Sequence, residues 1–297
     1  MEGEGGAREA GSGIPRVDPY GFERPEDFDY VSYEEFFSRY LVILTRRAIK
    51  WSKLLKGNNR IQKSLKVKRY IRKGIPNEHR AQIWMIVSGA QANMEQNPGY
   101  YNKLLEGEKS DMLVEAIKTD YYSPAMMGLK TDQEVLGELV RKKVPAVAEL
   151  MDRHGVMWTL IVSRWFICLF IDILPVETVL RIWDCLFYEG SKIIFRVALA
   201  LIKQHQAFIL EATNLPDICD KFKQITRGTF VTECHTFMQG QSRWCWLQSS
   251  WHWVPLPGTR TIGWLRRSGT WIWRSAPSLL VVPLLRWGMG PVLGHSC

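Results

Sequence analysis

Apolar residues recur every three or four positions along most of this chain. After Ser32, Phe37, Leu41, Leu44, Ala48, Trp51 and Leu55 follow at spacings of 4, 3, 4, 3 and 4, which is one face of an α-helix. Ser32 and Glu35 have the spacing of a capping box, in which each side chain satisfies an orphan amide, and Gly57 closes the helix. Pro76 opens a second helix, with Ile83, Trp84 and Val87 on one side, and Ser110 caps a short one ending near Asp120. Thr131 and Glu134 form another capping box. Pro175 starts a helix that Gly190 ends, Lys192–Ala212 is long and apolar-periodic, and Pro216–Arg227 is stopped by Gly228. Alternating strand patterns bounded by turns are absent up to residue 239. The body is all-α.

Composition changes that picture only at the ends. At 297 residues, 46% hydrophobic and 23% charged, the chain is globular and has room for one large domain or two small ones. Residues 1–30 are rich in turn formers and read as a flexible leader; their acidic, Gly-rich start is unlike a secretion signal. After Gln239 the composition breaks. Residues 240–297 hold eight Trp and six Arg but no Asp, Glu or Lys, with no sustained period, and read as an irregular tail.

The net charge of +9 is segmented as well. Residues 1–45 hold ten acids against four bases, whereas residues 46–73 hold twelve Lys and Arg and no acid. The run suits a solvated helix face plus a basic loop; the functional reading is attraction to anionic lipid or an acidic protein surface. No recognition motif accompanies it, so nucleic acid is not expected as a partner. The six cysteines show no C-x-x-C and no histidine at zinc-ligand spacing, so neither a metal nor a disulfide framework is expected. The longest apolar run, 166–174, is cut by Asp172 and too short to span a bilayer. The expected location is the cytoplasm or the periphery of a membrane. No cofactor is expected, and the chain lacks the G-x-x-x-x-G-K-[ST] of a P-loop hydrolase.

Two blocks carry a resemblance. The first is Arg72-Lys73-Gly74-Ile75-Pro76 with Arg80 and Trp84. Here Gly74 permits a tight turn, Pro76 presets a helix start, and Arg80 and Trp84 lie one turn apart. The second runs from Ser163-Arg164-Trp165-Phe166 through Leu174-Pro175 to Arg181-Ile182-Trp183-Asp184 and Glu189-Gly190. Together they resemble the TBC domain, the helical module that activates Rab-family GTPases. On that basis residues 31–68 are an N-terminal helix and basic stretch, 69–120 and 121–239 the two parts of the domain, and 240–297 the tail. The motif residues Arg72, Gly74, Pro76, Arg80, Trp84, Asp120, Trp165, Trp183, Asp184 and Gly190 read as framework, with the large aromatics in the core and Arg80 with Asp184 as a buried pair.

The resemblance implies a Rab GTPase as partner and two fingers supplied to it in trans. An Arg in I-x-x-D-x-x-R neutralises charge on the transferred phosphoryl group, and a Gln in Y-x-Q-G-M orients the attacking water. This sequence departs from both. Ile117-Lys118-Thr119-Asp120 is followed by Ser123 where the Arg would stand, and Y-x-Q-G-M occurs nowhere. No catalytic residue is therefore assigned. A splice variant with skipped internal exons and a replaced C-terminus would have this form: a Rab GTPase-activating protein by resemblance, deficient in catalysis, or a non-catalytic remnant that binds a partner or an anionic membrane. Deletion is expected to expose Ile83 and Val87 on one side of the gap and Val135, Leu139 and Ile161 on the other, leaving no sharp unfolding transition.

Overall fold

A computed structural model describes residues 17–24, 28–56, 61–99, 102, 121, 125–246, 266–267 and 270–271. Asp120, the expected Ser110-capped helix and Gly57 lie outside the described residues. Within the expected leader, residues 17–24 form a tight turn instead of a free strand of chain. The Asp18 carboxylate accepts from the amides of Tyr20 and Phe22 at 2.8 and 3.0 Å, and from Arg24 at 2.5 Å.

Helix α1 (Tyr30–Leu55) starts two residues before Ser32. Its cap is Asp29, whose carboxylate accepts from the Ser32 amide at 3.0 Å. Its buried residues are Tyr40, Arg47 and Trp51, while Leu41, placed on the inner face by the apolar spacing, is 47% exposed. The inward stripe passes through an arginine, which a count of apolar positions skips. The second expected capping box also fails. The helix begins four residues before Thr131, whose hydroxyl bonds back to the Met127 carbonyl at 2.8 Å and so sits inside it.

Part of the basic stretch is helical where a loop was one reading. Helix α2 (Leu65–Lys73) is capped by the Ser64 hydroxyl and turns Val67 and Ile71 inward, four residues apart. Next come α3 (Asn77–Ser88), α4 (Ala90–Gln96), α5 (Met127–Lys143), α6 (Pro145–Arg153), α7 (Trp158–Ile167) and α8 (Val176–Glu189). Helix α8 lies between Pro175 and Gly190, as its flanking residues predict. The long helix expected over 192–212 breaks at His205 into α9 (Lys192–Gln204) and α10 (Gln206–Leu210). Helix α11 (Leu215–Gln224) is capped by Asn214, and α12 (Thr229–Thr232) leads into α13 (Cys234–Trp246). Helix α13 runs seven residues past Gln239, where the composition changes. Among the described residues the only strands lie in the tail, β1 (Arg266–Arg267) antiparallel to β2 (Thr270–Trp271).

Helix α8 is the centre of the body. It packs against α2, α3, α9, α12 and α13 and buries eight of its residues. The polar groups of its buried stretch, Glu177 to Cys185, must find protein partners, because water does not reach them. Around it one core runs from Trp51 to Met238. Ile83 and Val87, expected to be exposed, are buried at 0% and 3%, and Val135, Leu139 and Ile161 are half-buried. The described helices thus close over the faces that a deletion would open.

That closure predicts the reverse of a molten chain. On a monodisperse monomer, the near-UV and far-UV circular dichroism signals should be lost together on heating, in one transition. Loss of the near-UV signal while helicity persists would show that the core is not closed.

Candidate functional site

The two sequence blocks meet at one carboxylate. Asp184 has no exposed surface, and three donors from the first block converge on it. The Ile75 amide donates to Oδ2 at 2.9 Å, while Arg80 Nε and Trp84 Nε1 donate to Oδ1 at 3.1 and 2.9 Å. Arg80 also donates to the Ile75 carbonyl at 2.6 Å and to the Asn77 side chain. Pro76 places these groups: it holds an extended conformation just before α3, so Ile75 turns its amide toward α8 and the first turn brings Arg80 beneath it. Burial pushes the Asp184 carboxyl above its ordinary range, against the pull of Arg80 and the Ile75 amide. Trp84 completes the cluster, with its ring 4.8 Å from that of Phe187 and 5.9 Å from that of Trp183.

A second node closes over Gly74. This residue ends α2 at φ +106, a conformation that side chains disfavour. A Cβ there would lie 2.7 Å from Arg47 Nη1 and 2.8 Å from Arg181 Nε, so the close approach also demands glycine. Trp51 Nε1 donates to the Gly74 carbonyl at 3.0 Å, and Arg181 Nη2 donates to that of Arg72 at 2.7 Å. Arg47 Nη2 donates to His235 Nδ1 at 2.8 Å, which links α1 to α13. Burial and the nearby Arg181 charge bring Arg47 down to about 10; burial and the Arg47 charge bring His235 down to about 4.

The third node is Glu189, in the last turn of α8, where the helix dipole disfavours a carboxylate. Arg72 grips it through Nε at 2.5 Å and Nη2 at 2.8 Å, with Arg196 at 3.3 Å and Lys68 at 3.5 Å. Burial raises the Glu189 carboxyl, but the Arg72 hydrogen bonds and these charges outweigh it and hold the group below its ordinary value.

The remaining motif residues are placed as follows. Trp165 is buried between Phe170 and Phe222, and Trp183 is buried with its indole N–H donating to the Leu169 carbonyl at 3.1 Å. Gly190 ends α8 at φ +86. Arg47, Trp51, Lys68, Arg196 and His235 are the parts of these nodes that lie outside the two sequence blocks. Arg47 carried a signal, since it lies seven residues after Tyr40 and four before Trp51, in register with the buried face. Arg80, Arg181 and Asp184 are enclosed in the core. What they can do is hold helices in register.

An all-helical body pinned by these motif pairs is the framework of a TBC domain, and the comparisons agree. The profile of the Rab-GTPase-TBC domain matches residues 112–210. The chain belongs to the TBC-domain family. It is 56% identical to growth hormone-regulated TBC protein 1 of Mus musculus, in an alignment covering 78% of this chain and 90% of that protein. To the Homo sapiens protein of the same name it is 57% identical, over 77% of this chain and 90% of that one. The fold matches the crystal structure of the Chlamydomonas flagellar RabGAP TBC domain with a TM-score of 0.56 at 22% identity, covering 76% of this chain and 98% of that one. The mouse alignment spans 324 positions, yet 78% of 297 residues is only about 232. About 92 aligned positions of the mouse protein therefore stand opposite no residue here.

Breaking the central node should be costly. Asp184→Ala strands Arg80, Trp84 Nε1 and the Ile75 amide in the core and should lower unfolding free energy by roughly 3–5 kcal/mol in a urea titration. Glu138→Ala, which removes one partner of an exposed ion pair with Arg141, should change it by less than about 0.5 kcal/mol.

Proposed function

We propose that this chain is a TBC-domain protein of the Rab GTPase-activating class that retains the helical framework and lacks the two finger residues. Its partner is a Rab-family GTPase, and its place of action is the cytoplasm or the cytoplasmic face of a membrane. The observation that carries the reading is Ser123 standing where I-x-x-D-x-x-R calls for Arg, with no Y-x-Q-G-M anywhere in the sequence. The roughly 92 positions of the mouse alignment that stand opposite no residue here support the same reading; skipped internal exons and a replaced end would produce such a chain. The two arginines nearest the framework motif do not substitute, because Arg72 is spent on Glu189 and Arg80 on Asp184. What the chain keeps is therefore capacity to bind rather than to accelerate hydrolysis.

The test is single-turnover GTP hydrolysis across a panel of Rab GTPases, with and without the full chain. An arginine finger is worth roughly 10³–10⁵ in rate, so its loss leaves hydrolysis at the intrinsic rate of each GTPase. An acceleration of about a hundredfold or more on any member would contradict the reading.

A further inference from the structure

We propose that the outward face of α1 is a contact surface for an anionic membrane. Tyr40, Arg47 and Trp51 turn into the core, which leaves Val42, Arg46, Ile49 and Lys53 along one outer line at spacings of 4, 3 and 4. On that line Val42 is 52% and Ile49 54% exposed, and the alternating basic side chains are exposed too. Lys50 and Lys56 flank the line, and Lys66, Arg69 and Lys73 are exposed on α2. The basic run divides cleanly in space. Arg47, Lys68 and Arg72 are taken up inside by His235 and Glu189, whereas these others face water in a segment, 46–73, that holds no acid. The exposed acids of α1, Glu34 and Glu35, lie at its opposite end, and Arg39 is paired with Glu233.

Charge alone would suit an acidic protein as well as lipid. The aliphatics decide the choice. A helix face that mixes branched aliphatics with Lys and Arg matches the bilayer interface, where headgroups meet the cations and the acyl boundary takes the apolar side chains. This inference stands whether or not the chain accelerates GTP hydrolysis.

The experiment is flotation of the full chain with phosphatidylcholine vesicles, with and without about one third phosphatidylserine. Flotation separates bound protein from aggregate. Binding should require the anionic lipid and be lost near ~0.5 M salt. Arg46→Glu with Lys53→Glu should weaken it roughly tenfold or more. Val42→Ser with Ile49→Ser should weaken it roughly fivefold or more at unchanged charge. All four positions are exposed, so far-UV circular dichroism should not change. Equal binding to neutral vesicles, indifference to either double variant, or no flotation at all would overturn the proposal. Displacement by polyglutamate together with full binding by the serine variant would assign the face to an acidic protein instead, and would equally overturn it.

Discussion

The fold depends on a single buried carboxylate having its donors arrive from a distant part of the chain. Asp184 lies on a helix enclosed by five others, where an unpaired charge would be prohibitive. Its donors, Ile75, Arg80 and Trp84, all come from a turn and helix about a hundred residues earlier. Neither half is satisfied alone. The α2–α3 corner carries a guanidinium and an indole N–H that need an acceptor, and α8 carries an acceptor that needs them. The Gly74 and Glu189 nodes act on the same joint. Arg181 and Arg72 bind across it from opposite sides, and Gly74 allows the approach.

This joint explains how a domain shorter than its relatives keeps a closed core. The positions of the mouse protein that are unmatched here are not needed to bring α3 against α8, because the contacts that do so lie in the two sequence blocks. Ile83 and Val87 are covered for the same reason: they share α3 with Arg80 and Trp84 and follow them into place.

What was legible in the sequence follows from what each signal encodes. Proline before α8 and glycine after it mark its ends correctly, because backbone constraints act locally. The two blocks identify the fold, and the Arg80–Asp184 pair is visible as a pair. Both capping boxes mislead: Asp29 caps α1 in place of Ser32, and α5 starts at Met127 without any side-chain cap, four residues before Thr131. The inward Arg47 is passed over by a count of apolar positions, although its register with Tyr40 and Trp51 marks it. The break at His205 was hidden as well: the apolar period continues across it, while the chain changes direction to pack α10 against α6 and α11.

The most direct test of this joint is amide hydrogen exchange at Ile75. Ile75 sits between α2 and α3, outside any helix, and its amide bonds only to the Asp184 carboxylate, at 2.9 Å. If that carboxylate holds the two halves together, the Ile75 amide should exchange only through global unfolding, at the same free energy as the amides of α8. Exchange at the rate of an exposed loop amide, while α8 remains protected, would show that the halves are held together by something else.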